Sequence, residues 1–126
     1  MVYRLLLIFA YFVCSHCWAA EKFDVLASAT TKVKQRYPME SFISTEVADE
    51  AIAESLRLQT KLDEWFFENE AACYRVFFVN SCLQDVKRLR RQLLPELKEV
   101  EFVAKDFKRQ SKIFAGDQKN ASDQLK

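Results

Sequence analysis

The chain has 126 residues, with 19 Lys and Arg against 18 Asp and Glu, one His, one Gly, two Pro and four Cys. A chain this short makes one domain with a modest core. Its near-neutral balance withholds the basic surplus that nucleic-acid binding needs, and the scarcity of glycine and proline favours long helices over strands and tight turns.

Arg4 supplies a single positive charge, Leu5 to Val13 follow as an unbroken apolar run, and Cys17-Trp18-Ala19-Ala20 precede the charged pair Glu21-Lys22. This is the order of a secretory signal peptide over residues 1–19. Cutting after Ala19 puts Cys17 and Ala19 in the two small-residue positions, whereas cutting after Ala20 puts bulky Trp18 in one of them. The competing reading is an uncleaved membrane anchor, although Leu5 to Ala20 falls short of the roughly 20 apolar residues a span requires. Lipoprotein processing fits poorly, because Val13 precedes Cys14 and His16 precedes Cys17 where a small residue is wanted. Cleavage removes Arg4, Cys14, His16 and Cys17, which leaves a neutral mature chain with two cysteines, Cys73 and Cys82. In an oxidising compartment such an isolated pair reads as one disulfide.

Phe23, Leu26, Thr30, Val33 and Tyr37 recur at alternating spacings of three and four, predicting a first helix over about 22–36 that Pro38 closes. Ser44 or Thr45 then offers an N-cap, with Glu46, Asp49 and Glu50 placed where the helix dipole favours acids. The stripe Ala48, Ala51, Ser55, Leu58, Leu62, Trp65, Asn69, Ala72 predicts a second helix over about 45–73. Ser81 with Gln84 reads as a capping box. It opens a third helix over about 82–114, with the stripe Leu83, Val86, Arg90, Leu93, Leu97, Val100, Ala104, Phe107, Ser111, Phe114. Pro95 must kink or restart it near Leu94. The polar, small residues 115–126 read as a disordered tail, so the folded domain is expected over 20–114.

A Cys73–Cys82 bond forces a reversal. Nine residues of straight helix would separate the two Cα atoms by about 13.5 Å, whereas a disulfide needs roughly 4.4 to 6.8 Å. The expected fold class is therefore all-α: an antiparallel helical hairpin stapled by one disulfide, with the short N-terminal helix packed on it, or else a dimer. Folding at the cysteines opposes Asn69 to Val86, Leu62 to Leu93, Leu58 to Leu97, Ser55 to Val100, Ala51 to Ala104 and Ala48 to Phe107. Trp65 then meets Arg90 as a cation–π pair. Glu68 faces Lys87, Glu64 faces Arg91, Glu50 faces Lys105 and Glu46 faces Arg109. Glu54 against Glu101 and Asp49 against Asp106 are like-charged misfits. Residues 20–85 carry 7 basic and 12 acidic side chains and residues 86–126 carry 11 and 6, an asymmetry that internal pairing explains most simply.

Without His the mature chain lacks the commonest general base and metal ligand. Two disulfide-bonded cysteines with eight residues between them make neither a zinc pair nor a C-x-x-C redox motif, and no glycine-rich phosphate loop is available. Neighbouring acids such as Asp49-Glu50 and Asp63-Glu64 fit a solvated helix face better than a catalytic pair. No catalytic residue, metal or cofactor is expected, and the chain is read as not an enzyme. Two surfaces stand out. Tyr74, Phe77 and Phe78 sit in a turn that is unusually apolar. Such a tip is either core, covered by Phe23 and Leu26, or an exposed patch that docks a partner or touches a membrane. The basic run that holds Lys87, Arg88 and Arg91 suits an acidic partner or phospholipid headgroups, unless it is a solvated face paired to the acidic helix. Asn120-Ala121-Ser122 fits a glycosylation acceptor only in a eukaryotic secretory pathway.

The segment Cys73-Tyr74-Arg75-Val76-Phe77-Phe78-Val79-Asn80-Ser81-Cys82-Leu83, followed by Val86-Lys87-Arg88-Leu89-Arg90-Arg91, resembles uncharacterised small exported proteins of proteobacteria. These share a Cys-Tyr…Phe-x-Val-Asn-x-Cys-Leu segment leading into an Arg-rich helix, and the match covers about 70–111. The resemblance implies a periplasmic setting and a paired disulfide, and it brings no activity. The expectation is a non-catalytic exported interaction or accessory protein with a protein partner, open to membrane contact and to homodimerisation. The alternative is a periplasmic module anchored to the inner membrane by its N-terminal segment.

Overall fold

The computed structural model describes residues 17–38, 40 and 42–124, with side chains from Lys22 to Ala121. Three helices account for its regular structure: α1 (Cys17–Arg36), α2 (Thr45–Cys73) and α3 (Val79–Gln124). The signal-peptide reading falls almost wholly on residues 1–16, outside the described residues.

Each helix exists for the reason its spacing suggests. Leu26, Thr30, Val33 and Tyr37 are buried along one face of α1, and Thr30 satisfies its hydroxyl by donating to the Leu26 carbonyl at 2.9 Å. The Ser44 hydroxyl accepts from the Val47 amide at 3.4 Å and caps α2. The buried set of α2 is Ala48, Ala51, Ser55, Leu58, Leu62, Trp65 and Cys73, while Ala72 at the end of the predicted stripe is exposed. In α3, Val86, Leu93, Leu97, Val100 and Ala104 are buried. These faces form one core, which Phe42 completes from the connection by packing against Phe107 with ring centroids 5.9 Å apart.

Two boundaries differ from expectation. Helix α3 begins at Val79, so Ser81 lies inside its first turn, and the Cys82 amide donates to the Phe78 carbonyl at 3.1 Å. A serine there cannot act as a cap, and the predicted capping box does not form. At the other end α3 runs on to Gln124 in place of the disordered tail, although every residue from Lys112 to Ala121 is exposed. Pro95 does not restart the helix. It is exposed, so the backbone bond it removes is lost on the solvent side of the helix. Helix α1 starts at Cys17, about a turn and a half earlier than predicted.

The contacts joining α2 to α3 run in opposite chain order: Cys73 to Cys82, Asp63 to Arg90, Gln59 to Glu101 and Asp49 to Lys108. The ion pairs are not those the expected register supplies. Glu68 binds Lys22 of α1 at 3.0 Å rather than Lys87, and Glu54 binds Arg36 of α1 at 3.2 Å. Lys105 turns to Glu101, and Arg109 to Asp106, each within α3. Both like-charged misfits are relieved in this way. Hydrogen bonds from Lys105 and Gln59 hold the Glu101 carboxyl below the usual carboxylate range.

Candidate functional site

The connection between α2 and α3 is a short turn held by a covalent bond. Tyr74 follows α2 in a helical conformation, and the Arg75 and Val76 amides donate to the Ala72 and Cys73 carbonyls at 3.0 and 3.3 Å. These tight bonds close the last turn. Among the described residues no non-glycine residue takes a positive φ, so a glycine-free reversal is made here without backbone strain. Cys73 and Cys82 are joined, with their Cα atoms 5.5 Å apart.

The aromatic side chains of the stapled turn face outward. Phe77 is 92% exposed, Phe78 73% and Tyr74 66%. Phe77 and Phe78 meet edge to face with centroids 5.1 Å apart, so each ring shelters part of the other, and the remaining area faces solvent. Of the two readings of the tip, buried or displayed, the structure shows the displayed one. Phe23 and Leu26 do not cover it. Phe23 instead packs on Trp65 at 5.0 Å, and Leu26 belongs to the core.

Behind the rings lies an open groove of about 640 Å³. Phe23 and Trp65 line it from α1 and α2, Val86 and Leu89 from α3, and Phe77 and Phe78 from the turn. Asp24 and Asp85 stand on its rim, and Arg88 engages Asp85 at 3.1 Å. The groove is a joint product of three elements. Lys22 pairs with Glu68 and brings Phe23 to Trp65. Sequence periodicity assigns Phe23 and Trp65 to the core and cannot show that both also border an opening. A second groove of about 380 Å³, lined by Val25, Leu26, Lys61 and Glu64 among others, shares Trp65 as a wall.

Among the predicted basic residues, Lys87, Arg88 and Arg91 are exposed. Arg88 is engaged by Asp85, one turn before it in α3. Arg90, expected over Trp65, lies 5.1 Å from the Phe66 ring centre and donates to Asp63 through Nε at 3.0 Å and through Nη2 at 2.7 Å. Phe23 packs on Trp65 with ring centroids 5.0 Å apart. Lys87 and Arg91 form no ion pair with the acidic helix among the described residues. There is likewise no group of three His, Cys, Asp or Glu side chains placed to hold a metal ion, and no helix long and apolar enough to cross a membrane, among those residues. Compared with protein families, curated proteins and solved structures, the chain matches none of them.

Proposed function

We propose that this protein is a non-catalytic, exported accessory protein of the bacterial envelope that works by contact through its stapled aromatic end. One observation carries the reading. Tyr74, Phe77 and Phe78 stand exposed on a turn locked by the Cys73–Cys82 bond, next to an apolar groove. Exposed aromatic surface forfeits the transfer free energy of burial, about 25 cal/mol per Å², so a cluster held outward by a covalent constraint suits docking better than folding. In this reading α2 and α3 form an antiparallel hairpin with α1 packed on it, a rigid stalk that presents the tip. The signal-like segment 1–19 and the resemblance around the cysteines support an oxidising, periplasmic setting, in which the disulfide persists. The alternative, retention of the N-terminal segment as an inner-membrane anchor, changes where the stalk is held and not which end makes contact.

The test is a photo-activatable benzoylphenylalanine at position 77, compared with the same group at position 102. Phe102 is a similarly exposed ring on α3, remote from the turn. Irradiation in the native envelope is expected to give an adduct from 77 and none from 102. Equal adducts from both positions, or none from 77, would remove the tip from the function.

A further inference from the structure

We infer that the tip's partner is a second copy of this chain, the projecting Phe77 and Phe78 of each copy seating in the groove beside the tip of the other, an inference that rests on the contact reading above and names its partner. Three features of the same end of the molecule lead there.

The first is shape. Phe77 and Phe78 project from the outside of the turn, and the groove of about 640 Å³ opens behind them. It runs from those two rings to Leu89, ten residues along α3 from Val79, a length of about 15 Å at helical rise. A flat surface resting on the rings leaves the far end, walled by Phe23, Trp65 and Leu89, uncovered. A projecting aromatic body fills it, and the chain's own tip is one. Knob and hole on one end of one molecule meet the condition for an isologous two-fold contact, in which each copy gives what the other receives. Phe77 and Phe78 then fill the second copy's groove while forming the near wall of their own.

The second is area. An aromatic side chain carries about 150–250 Å². Phe77 at 92% and Phe78 at 73% exposure therefore display roughly 250–410 Å² in each copy. Two copies exchanging these rings, with the groove wall that each pair covers, bury about 1,000–1,650 Å², before Tyr74 and Val76 add their exposed surface. Specific interfaces begin at about 1,200 Å², so a reciprocal exchange reaches what a stable dimer needs.

The third is charge. The tip, residues 71–84, holds one charged side chain, Arg75. On the groove rim Arg88 answers Asp85, and beside it Lys22 answers Glu68, which leaves Asp24. Neither Arg75 nor Asp24 makes an ion pair among the described residues. Seating one copy's tip in the other's groove brings Arg75 towards Asp24, twice by symmetry. Over the whole stapled end, residues 22–24, 63–70 and 75–91, six basic side chains stand against six acidic ones, with Glu64 and Glu70 on α2 balancing Lys87 and Arg91 on α3. Two such ends approach without net repulsion, whereas a surface of either charge gains nothing from a neutral end.

The experiment is sedimentation equilibrium of the protein purified from its envelope, beside Asp24→Arg, Arg75→Asp and an equal mixture of the two variants. The parent is expected to dimerise at micromolar concentration. Each variant alone sets like charges against each other at both contacts and is expected to weaken the dimer about tenfold. In the mixture both contacts of the heterodimer join opposite charges again, so it is expected to regain the parent's affinity, which variants that had merely lost their fold could not do. A parent that stays monomeric at about 0.1 mM, variants that associate like the parent, or a mixture no tighter than either variant overturns the second copy as the partner. In the envelope, benzoylphenylalanine at position 77 is expected to give an adduct of twice the chain's mass. An adduct with a different protein alone leaves the contact reading standing and removes only the second copy. No adduct at all removes both.

Discussion

Ser55 lies fully buried in the middle of α2, and its Oγ has no hydrogen-bond partner among the described residues. A small side chain suits this position, because it faces the α3 stripe between Ala51 and Leu58, where helices approach closely. The hydroxyl does not. Leaving a buried polar group unsatisfied costs about 1–3 kcal/mol, whereas alanine keeps the volume nearly unchanged. Ser55→Ala is therefore expected to raise the unfolding free energy by about 1 kcal/mol in denaturant titrations, and a loss of stability would show that the hydroxyl is satisfied in solution. Arg90 shows how far a single side chain departs from pattern. It occupies an apolar-stripe position, yet its guanidinium reaches Asp63 with two nitrogens and lies over Phe66. The stem can line the core while the charged head stays partly wet. Spacing alone leaves that choice open, since Trp65 and Phe66 are both within reach. The tertiary structure places the guanidinium on Phe66 and Asp63, while Phe23 from a different helix packs on Trp65.

At the level of elements, periodicity locates the buried faces well and the ends poorly. The bounds of α2 agree with the reading from Ser44 and the stripe, because a cap residue with a polar first turn is a local signal. The start of α3 departs from the reading because Phe78, which precedes it, has no capping side chain, and Ser81-Gln84 offers a plausible cap one turn late. The helix starts earlier since the disulfide brings Cys82 to Cys73 at 5.5 Å, and the residues between them must be used economically. The staple closes a loop of ten residues, which constrains the unfolded chain by about 2.5–3 kcal/mol on the chain-entropy model. Cys73→Ser is accordingly expected to lower the melting temperature by roughly 10–20 °C, with Cys82 newly reactive towards thiol reagents. An unchanged melting temperature would mean that helix packing alone holds the turn.

Across the whole molecule, the core and the surface are unevenly shared. Buried residues of α3 end at Ala104, with Phe107 partly buried beyond it, and every residue from Lys112 to Ala121 is exposed, Ile113 and Phe114 among them. A helix without a packed face gains little from tertiary contact, so removing residues 115–126 is expected to shift the melting temperature by no more than about 2 °C. A larger drop would point to a contact on the overhang, such as a second copy of the chain. The sequence by itself determined the all-helical class and the buried middle of each core stripe, because each follows from spacing along one chain, and it reached the cysteine pairing through the signal-like segment that takes Cys14 and Cys17 away. Only the tertiary structure decided which carboxylate meets which cation, whether the tip is covered, and that a groove opens between α1, α2 and α3. Those outcomes depend on where α1 lies, and α1 is placed by side-chain fit around Trp65, a competition between neighbours that no single-helix pattern contains.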